Sequence, residues 1–369
     1  MPLRVQMEGL SEPTGLASTR WWHELPGGQV ECELCPRSCR LAPGQRGLCH
    51  VRVHAAASVV LTTWGRSSGF CVDPIEKKPL HHFLPGTGAL SLGGVGCNLT
   101  CQFCHNWPIS RSRAEEELTE RATPEAIAAA ALRTGSRSVA FTYNEPVTFL
   151  EYAMDVANAC RERGVRSVAV TAGYISPAPR AELFHALDAA NVDLKSFRDA
   201  FYRRLCGGEL EPILDTLRYI RRETGTWLEI TNLLIPGEND SDTELDEMTG
   251  WVVSELGPDV PMHFTAFRPE YRLVDRPATP RATLLRARAI ALRNGVRHAY
   301  TGNVRDAEGG STFCHACGAA LIERDGFLLR GWHLVGNACA ACGATLAGVF
   351  EERPGSWGAR RLPLSLRAD

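Results

Sequence analysis

Gly96-Cys97-Asn98-Leu99-Thr100-Cys101-Gln102-Phe103-Cys104-His105-Asn106-Trp107 sets three cysteines in a C-x3-C-x2-C spacing, with an aromatic residue just before the last. Upstream, Ala89-Leu90-Ser91-Leu92-Gly93-Gly94-Val95-Gly96 reads as a buried strand that ends in glycines and runs directly into Cys97. Iron–sulfur cubanes are normally held by four thiolates. Here one loop offers three, with no fourth in reach, and His105 is too constrained beside Cys104 to complete the set. Three thiolates leave one iron open, and catalysis at a metal needs an open position. Structural zinc sites usually pair two C-x2-C knuckles, whereas this group is odd in number and unpaired.

Downstream of that loop, helical and extended patterns alternate. Helices are expected over 124–135, 146–164, 178–187, 211–225, 241–257 and 280–295, with Thr123 capping the first and Pro124 at its first position. Strands are expected over 138–143, 167–174, 191–197, 227–235 and 262–267, with a last short one near 298–301. This spacing implies parallel strands covered by helices, about six β/α units from Leu90 onward. The expected fold is therefore α/β, a partial (β/α)6 TIM-like barrel with its chemistry at the C-terminal strand ends. The expected division is a Cys-rich extension over 1–58, the barrel core over 59–303 and a small Cys-rich module over 304–369. Residues 1–28 read as loop-like.

The chain has 369 residues, 44% hydrophobic and 22% charged, with a net charge of −2, so nothing draws it as a whole to nucleic acid or an anionic membrane. No apolar run approaches the ~20 residues of a membrane span, and residues 1–10 lack a secretory apolar core. A cytoplasmic protein is expected, and in a reducing compartment clustered cysteines read as metal ligands. Eleven of the 14 cysteines cluster; Cys71, Cys160 and Cys206 stand alone. Cys314-x2-Cys317 and Cys339-x2-Cys342, each followed by glycine, are separated by 21 residues and read as a zinc-ribbon-like site. A rubredoxin-like iron or an auxiliary cluster is the alternative there. Cys32, Cys35, Cys39 and Cys49 can also close a metal site, read as zinc ahead of an auxiliary iron–sulfur cluster or metal-free thiols.

The central motif, with Phe103 before its last cysteine, resembles the radical S-adenosylmethionine (SAM) superfamily. The resemblance implies that Cys97, Cys101 and Cys104 carry a [4Fe-4S] cluster whose open iron binds SAM. The reduced cluster would then cleave SAM to methionine and a 5′-deoxyadenosyl radical, which abstracts hydrogen from a substrate. It also implies a flavodoxin- or ferredoxin-like reductant as partner. Tyr143-Asn144-Glu145-Pro146 corresponds to the Gly-Gly-Glu-Pro of the pyruvate formate-lyase activases, without the glycines. Thr171-Ala172-Gly173-Tyr174 resembles their Thr-Asn-Gly-Phe, although Val170 replaces an Asp that serves a cation. Asp193-Leu194-Lys195 matches their Asp-Leu-Lys, Leu234–Gly237 their Pro-Gly strand end, and His263 a SAM-contacting His. The implied SAM contacts are thus Phe103, Asn144, Glu145, Thr171, Gly173, Asp193, Lys195 and His263.

Further segments resemble one group, the radical SAM member of the AmmeMemoRadiSam system. They are Cys35-Pro36-Arg37-Ser38-Cys39, Asp73-Pro74-Ile75-Glu76-Lys77-Lys78-Pro79-Leu80, His82-Phe83-Leu84-Pro85-Gly86 and Cys104-His105-Asn106-Trp107-Pro108-Ile109-Ser110. That resemblance implies Memo-like and AMMECR-like partners but no substrate. Three other readings stay open: a glycyl radical activase, an RNA modifier suggested by arginines in 218–222 and 281–293, and a non-catalytic zinc or electron-transfer protein.

Overall fold

The glycine-ended run before Cys97 forms strand β1 (Gly88–Leu92), and all five of its residues are buried. A strand that is apolar on both faces needs cover on both sides, as a parallel sheet wrapped in helices provides. The computed structural model describes residues 3–4, 15–55, 57–113, 115, 118 and 120–366. After β1 come α1 (Pro124–Arg133), β2 (Ser138–Phe141), α2 (Leu150–Arg161), β3 (Arg166–Thr171), α3 (Pro177–Ala186) and β4 (Ala189–Asp193). Then follow α4 (Glu211–Glu223), β5 (Trp227–Leu234), α5 (Asp242–Leu256), β6 (Met262–Ala266), α6 (Arg281–Arg293) and β7 (Ala299–Gly302).

Strands β1 to β7 pair in chain order, each parallel to the next. Six β/α units and a closing seventh strand make the expected partial barrel. Local chemistry sets the helix starts: the Thr123 side chain accepts the Ala126 N–H at 3.3 Å ahead of Pro124, and Ser241 does the same for Glu244. The expected helix over 146–164 starts as a 3-10 turn, Pro146–Phe149, before α2. The open edge is covered by Phe70–Pro74, antiparallel to β1, and then by Leu362–Ser365 and Leu3–Arg4. The segment 362–365, expected with the C-terminal module, thus completes the barrel sheet.

The N-terminal region folds as two small antiparallel sheets. The loop-like reading of 1–28 gives way at Ala17–Ser18 and Trp22–Leu25, which are strands; residues 1–2 and 5–14 lie outside the described residues. Arg52–Ala55 and Ser58–Leu61 form a hairpin across the expected boundary at 58. At the other end, Thr312–Phe313, Ala320–Asp325 and Leu328–Trp332 form a three-stranded sheet. Buried Arg324 ties that sheet to the barrel, donating to the His81 carbonyl at 2.7 Å and to Thr312 Oγ1 at 2.8 Å. No helix among the described residues is long and apolar enough to cross a membrane.

Candidate active site and metal centres

Cys97, Cys101 and Cys104 line one cavity of about 240 Å³ at the C-terminal ends of β2 to β6. Neighbouring backbone holds their loop in place. Gly96 sits at φ +80°, and a Cβ there would lie 1.9 Å from the Cys49 carbonyl oxygen, so only glycine fits. Thr100 N–H donates to the Cys206 carbonyl at 2.7 Å and Gln102 N–H to the Leu205 carbonyl at 2.9 Å. Phe103 lines the cavity and packs on Phe201, ring centroids 5.7 Å apart.

Asn144, Glu145, Thr171, Asp193 and Lys195 line the same cavity. Glu145 is buried and its carboxylate accepts from Thr171 Oγ1 (2.5 Å), Ala172 N (2.8 Å) and Val147 N (3.2 Å). Burial pushes its pKa up, while those donors and Lys195 act against the rise. β4 ends at Asp193 instead of 197, so Lys195 lies just past the strand, its Nζ 2.7 Å from Asp193 Oδ2. Burial alone would lower the Lys195 pKa, but Asp193 and Cys101 hold it well above the usual value.

Gly173 and His263 lie elsewhere. Gly173 turns the chain at φ +67°, its N–H donating to Thr171 Oγ1 at 3.0 Å, and does not line the cavity. His263 is the second residue of β6, not its end, and also lies outside the cavity. It is buried beneath, its Nε2 2.6 Å from Glu229 Oε2, with its ring against His81 and Tyr300. Glu229 also accepts the His81 and His82 N–H groups at 2.9 and 2.8 Å. The His82-Phe83-Leu84 run thus supports the barrel floor.

Cys206, alone in the sequence, is brought against the loop, its carbonyl accepting the Thr100 N–H at 2.7 Å and the Thr100 hydroxyl at 3.2 Å. The neighbouring Cys206 thiol leads in lowering the Cys101 pKa against burial, with Lys195 adding to it, while burial raises Cys97 and Cys104. No sequence signal pointed to Cys206, because only the turn Tyr202–Cys206 folding back onto the loop brings it there. A larger cavity, about 410 Å³, lies between α6, β7 and the Cys314–His315 turn. It holds none of the three loop thiols, which leaves the smaller cavity as the candidate reaction site.

The family profile of the radical SAM superfamily matches residues 92–248. The uncharacterized protein MJ0808 of Methanocaldococcus jannaschii is 39% identical over 304 residues, covering 82% of this chain and 90% of its own length. The chain belongs to the radical SAM superfamily. The pyruvate formate-lyase-activating enzyme of Clostridium pasteurianum is 26% identical over 152 residues, 40% of this chain and 61% of that enzyme. Among solved structures, a radical SAM methyltransferase from Sphaerobacter thermophilus superposes with a TM-score of 0.48 at 18% identity, covering 83% of this chain and 81% of that one.

The three loop thiols of this radical SAM enzyme suit a [4Fe-4S] cluster. They are soft donors converging on one cavity, and their number leaves one iron free for SAM. The C-terminal module of the radical SAM chain offers a second candidate metal site, where Cys314, Cys317, Cys339 and Cys342 bring their sulfurs within 4.8 Å of one another. Gly318 N–H donates to the Cys314 carbonyl and Gly343 N–H to the Cys339 carbonyl, forming the two turns that gather them. Against the upward pull of burial, the N–H groups of Cys317 and Ala316 bring the Cys314 thiol down to about 7. The basic stretches are largely neutralised: Arg218 and Arg222 pair with Glu255, Arg281 with Asp306 and Arg293 with Asp246.

Proposed function

We propose that this radical SAM enzyme cleaves SAM reductively above the β2–β6 cavity and that the resulting radical abstracts hydrogen from a substrate entering that cavity. The observation that carries this is the convergence of Cys97, Cys101 and Cys104 with Glu145 and Lys195 on one space. When bound, the cluster supplies the electron that splits SAM into methionine and a 5′-deoxyadenosyl radical. The chain's own residues bind and orient. A carboxylate offers about four lone-pair sites. Glu145 uses three on Thr171, Ala172 and Val147, leaving one on Oε2 for the SAM ammonium. Lys195, kept charged by Asp193, meets the SAM carboxylate. Phe103, fixed by Phe201, closes the apolar side of the cavity and keeps water from the radical.

The C-terminal quartet is assigned zinc in a supporting role. Its sulfur pairs stand 3.6 and 3.8 Å apart, against about 3.8 Å for a tetrahedral ion with 2.3 Å bonds. The resemblance of Asp73–Leu80 and Cys104–Ser110 supports membership of the AmmeMemoRadiSam group, with Memo-like and AMMECR-like proteins and a flavodoxin- or ferredoxin-like reductant as cytoplasmic partners. The test is anaerobic reconstitution, reduction with dithionite and chromatography of the products. The expected product is 5′-deoxyadenosine, absent from Cys101→Ala. Reconstituted protein that binds SAM without cleaving it would overturn the reading.

A further inference from the structure

Cys32, Cys35, Cys39 and Cys49 all line a second cavity, of about 20 Å³, beside the catalytic loop. A space of that size admits one water-sized sphere. A zinc tetrathiolate leaves no such space, because sulfurs 2.3 Å from one ion touch one another. The C-terminal quartet has that tight geometry; among the described residues it is the only group of three or more His, Cys, Asp or Glu side chains whose ligand atoms lie mutually within 4.8 Å. The N-terminal four stand wider, as do Cys97, Cys101 and Cys104. A cubane places its own irons and sulfides between the thiolates and needs this wider frame.

Two residues that line the cavity carry buried N–H groups without a hydrogen-bond partner. Arg52 is 1% exposed and held by both Glu151 oxygens at 2.9 and 2.5 Å, yet its Nε has no partner. Arg37 Nη2 has none either. Orphaned buried N–H groups are rare, and sulfurs of a cluster would satisfy them. The cavity is also contiguous with the catalytic loop. The Cys49 carbonyl abuts Gly96, the residue before Cys97, and Arg37 Nε donates to the Asn98 carbonyl at 2.9 Å. On its outer side the cavity is lined by Leu48, which is 37% exposed.

We propose that Cys32, Cys35, Cys39 and Cys49 hold a second four-iron cluster that passes single electrons from a reduced flavodoxin- or ferredoxin-type protein to the catalytic cluster. The inference rests on the radical SAM reading of the catalytic loop. The donor loses one electron, the second cluster gains and then releases it, and no bond or proton moves. Full-length Cys97→Ala/Cys101→Ala/Cys104→Ala protein, reconstituted anaerobically, tests the site by iron, sulfide and zinc analysis and by electron paramagnetic resonance after dithionite reduction. It should keep half the wild-type iron and a reduced-cluster signal insensitive to SAM. Adding Cys39→Ser should remove both.

A triple variant without iron, beside a wild type holding one cluster, overturns this proposal and leaves the catalytic reading intact. Equal iron in the two proteins overturns the catalytic reading instead. For the relay itself, the ratio of flavodoxin-driven to dithionite-driven SAM cleavage should fall at least tenfold in Cys39→Ser alone. An unchanged ratio overturns the relay.

Discussion

Asn144 holds the backbone of Gly96 directly: its Nδ2 donates to the Gly96 carbonyl at 2.9 Å while its Oδ1 accepts the Gly94 N–H at 2.8 Å. An amide has both a donor and an acceptor end, and this turn uses both. Asn144→Ala removes the partner of three backbone groups, the Gly94 N–H and the Val95 and Gly96 carbonyls, at a cost of about 1–3 kcal/mol for each left unsatisfied. It should lower the denaturant midpoint and slow 5′-deoxyadenosine formation by roughly tenfold. Asn144→Asp keeps the acceptor but sets a carboxylate against the Gly96 carbonyl, so it should do no better. Wild-type rates in both would show that the bond does not position the loop.

Glu145→Gln keeps the shape of the buried side chain but turns one acceptor oxygen into a donor facing either the Ala172 N–H or the Thr171 hydroxyl. SAM affinity, followed by equilibrium dialysis on reconstituted protein, should weaken by roughly 10–100-fold, in line with losing a charge-assisted bond. Thr171→Val removes one support of the carboxylate and should weaken binding less. Unchanged affinity in Glu145→Gln would remove Glu145 from SAM binding.

Removing the zinc proposed for the C-terminal quartet should act locally. Cys342 is exposed, and the module's own apolar cluster is small, centred on Leu321, Ile322, Leu334 and Leu346. So small a core needs a metal staple. Cys342→Ser should lose the zinc and the amide protection of residues 314–346, read by hydrogen exchange. Retained zinc would argue against the tetrathiolate.

Acid should loosen the barrel floor. Burial holds the His82 pKa down to about 4, from 6.5, and pushes His81 well below its usual value. A base with a depressed folded pKa contributes stability that is full above pH 6.5 and lost as the pH falls toward 4, on the order of 3 kcal/mol for His82. Glu76, raised by burial to about 7, works the other way, losing stability as the pH climbs from 4.5 to 7. Comparing variants isolates the histidine: His82→Asn should show a shallower fall in thermal midpoint between pH 6.5 and 4 than the wild type. Parallel curves would rule out the linkage.

Asp73 accepts from Lys77, Lys78, Tyr143 and Arg361 at 3.0, 2.9, 2.7 and 3.1 Å, which accounts for much of the Asp73–Leu80 run. Asp73→Asn strands the buried Lys78 ammonium and should cost about 3–5 kcal/mol in urea unfolding. A loss below 1 kcal/mol would mean that Lys78 reaches water on its own.

The three-cysteine loop, the glycine-ended strand before it and the helix–strand alternation were legible because each is local. Ligand spacing, backbone permissiveness at Gly96 and the periodicity of apolar residues are properties of a few neighbouring positions. The C-terminal knuckles were legible for the same reason.

What the sequence could not decide depended on which distant segments meet. Period-2 alternation cannot tell one end of a strand from the other, so it could not show that His263 sits low in β6 against Glu229. Nor could it bring Cys206 to Cys101, return Leu362–Ser365 to the barrel edge, or set the Cys49 carbonyl against Gly96. The amino-acid sequence alone determined the three-cysteine motif, the pairing of the C-terminal knuckles and the fold class. Only the tertiary structure decided what surrounds the cysteines, because long-range contacts come from packing the whole chain and leave no local trace.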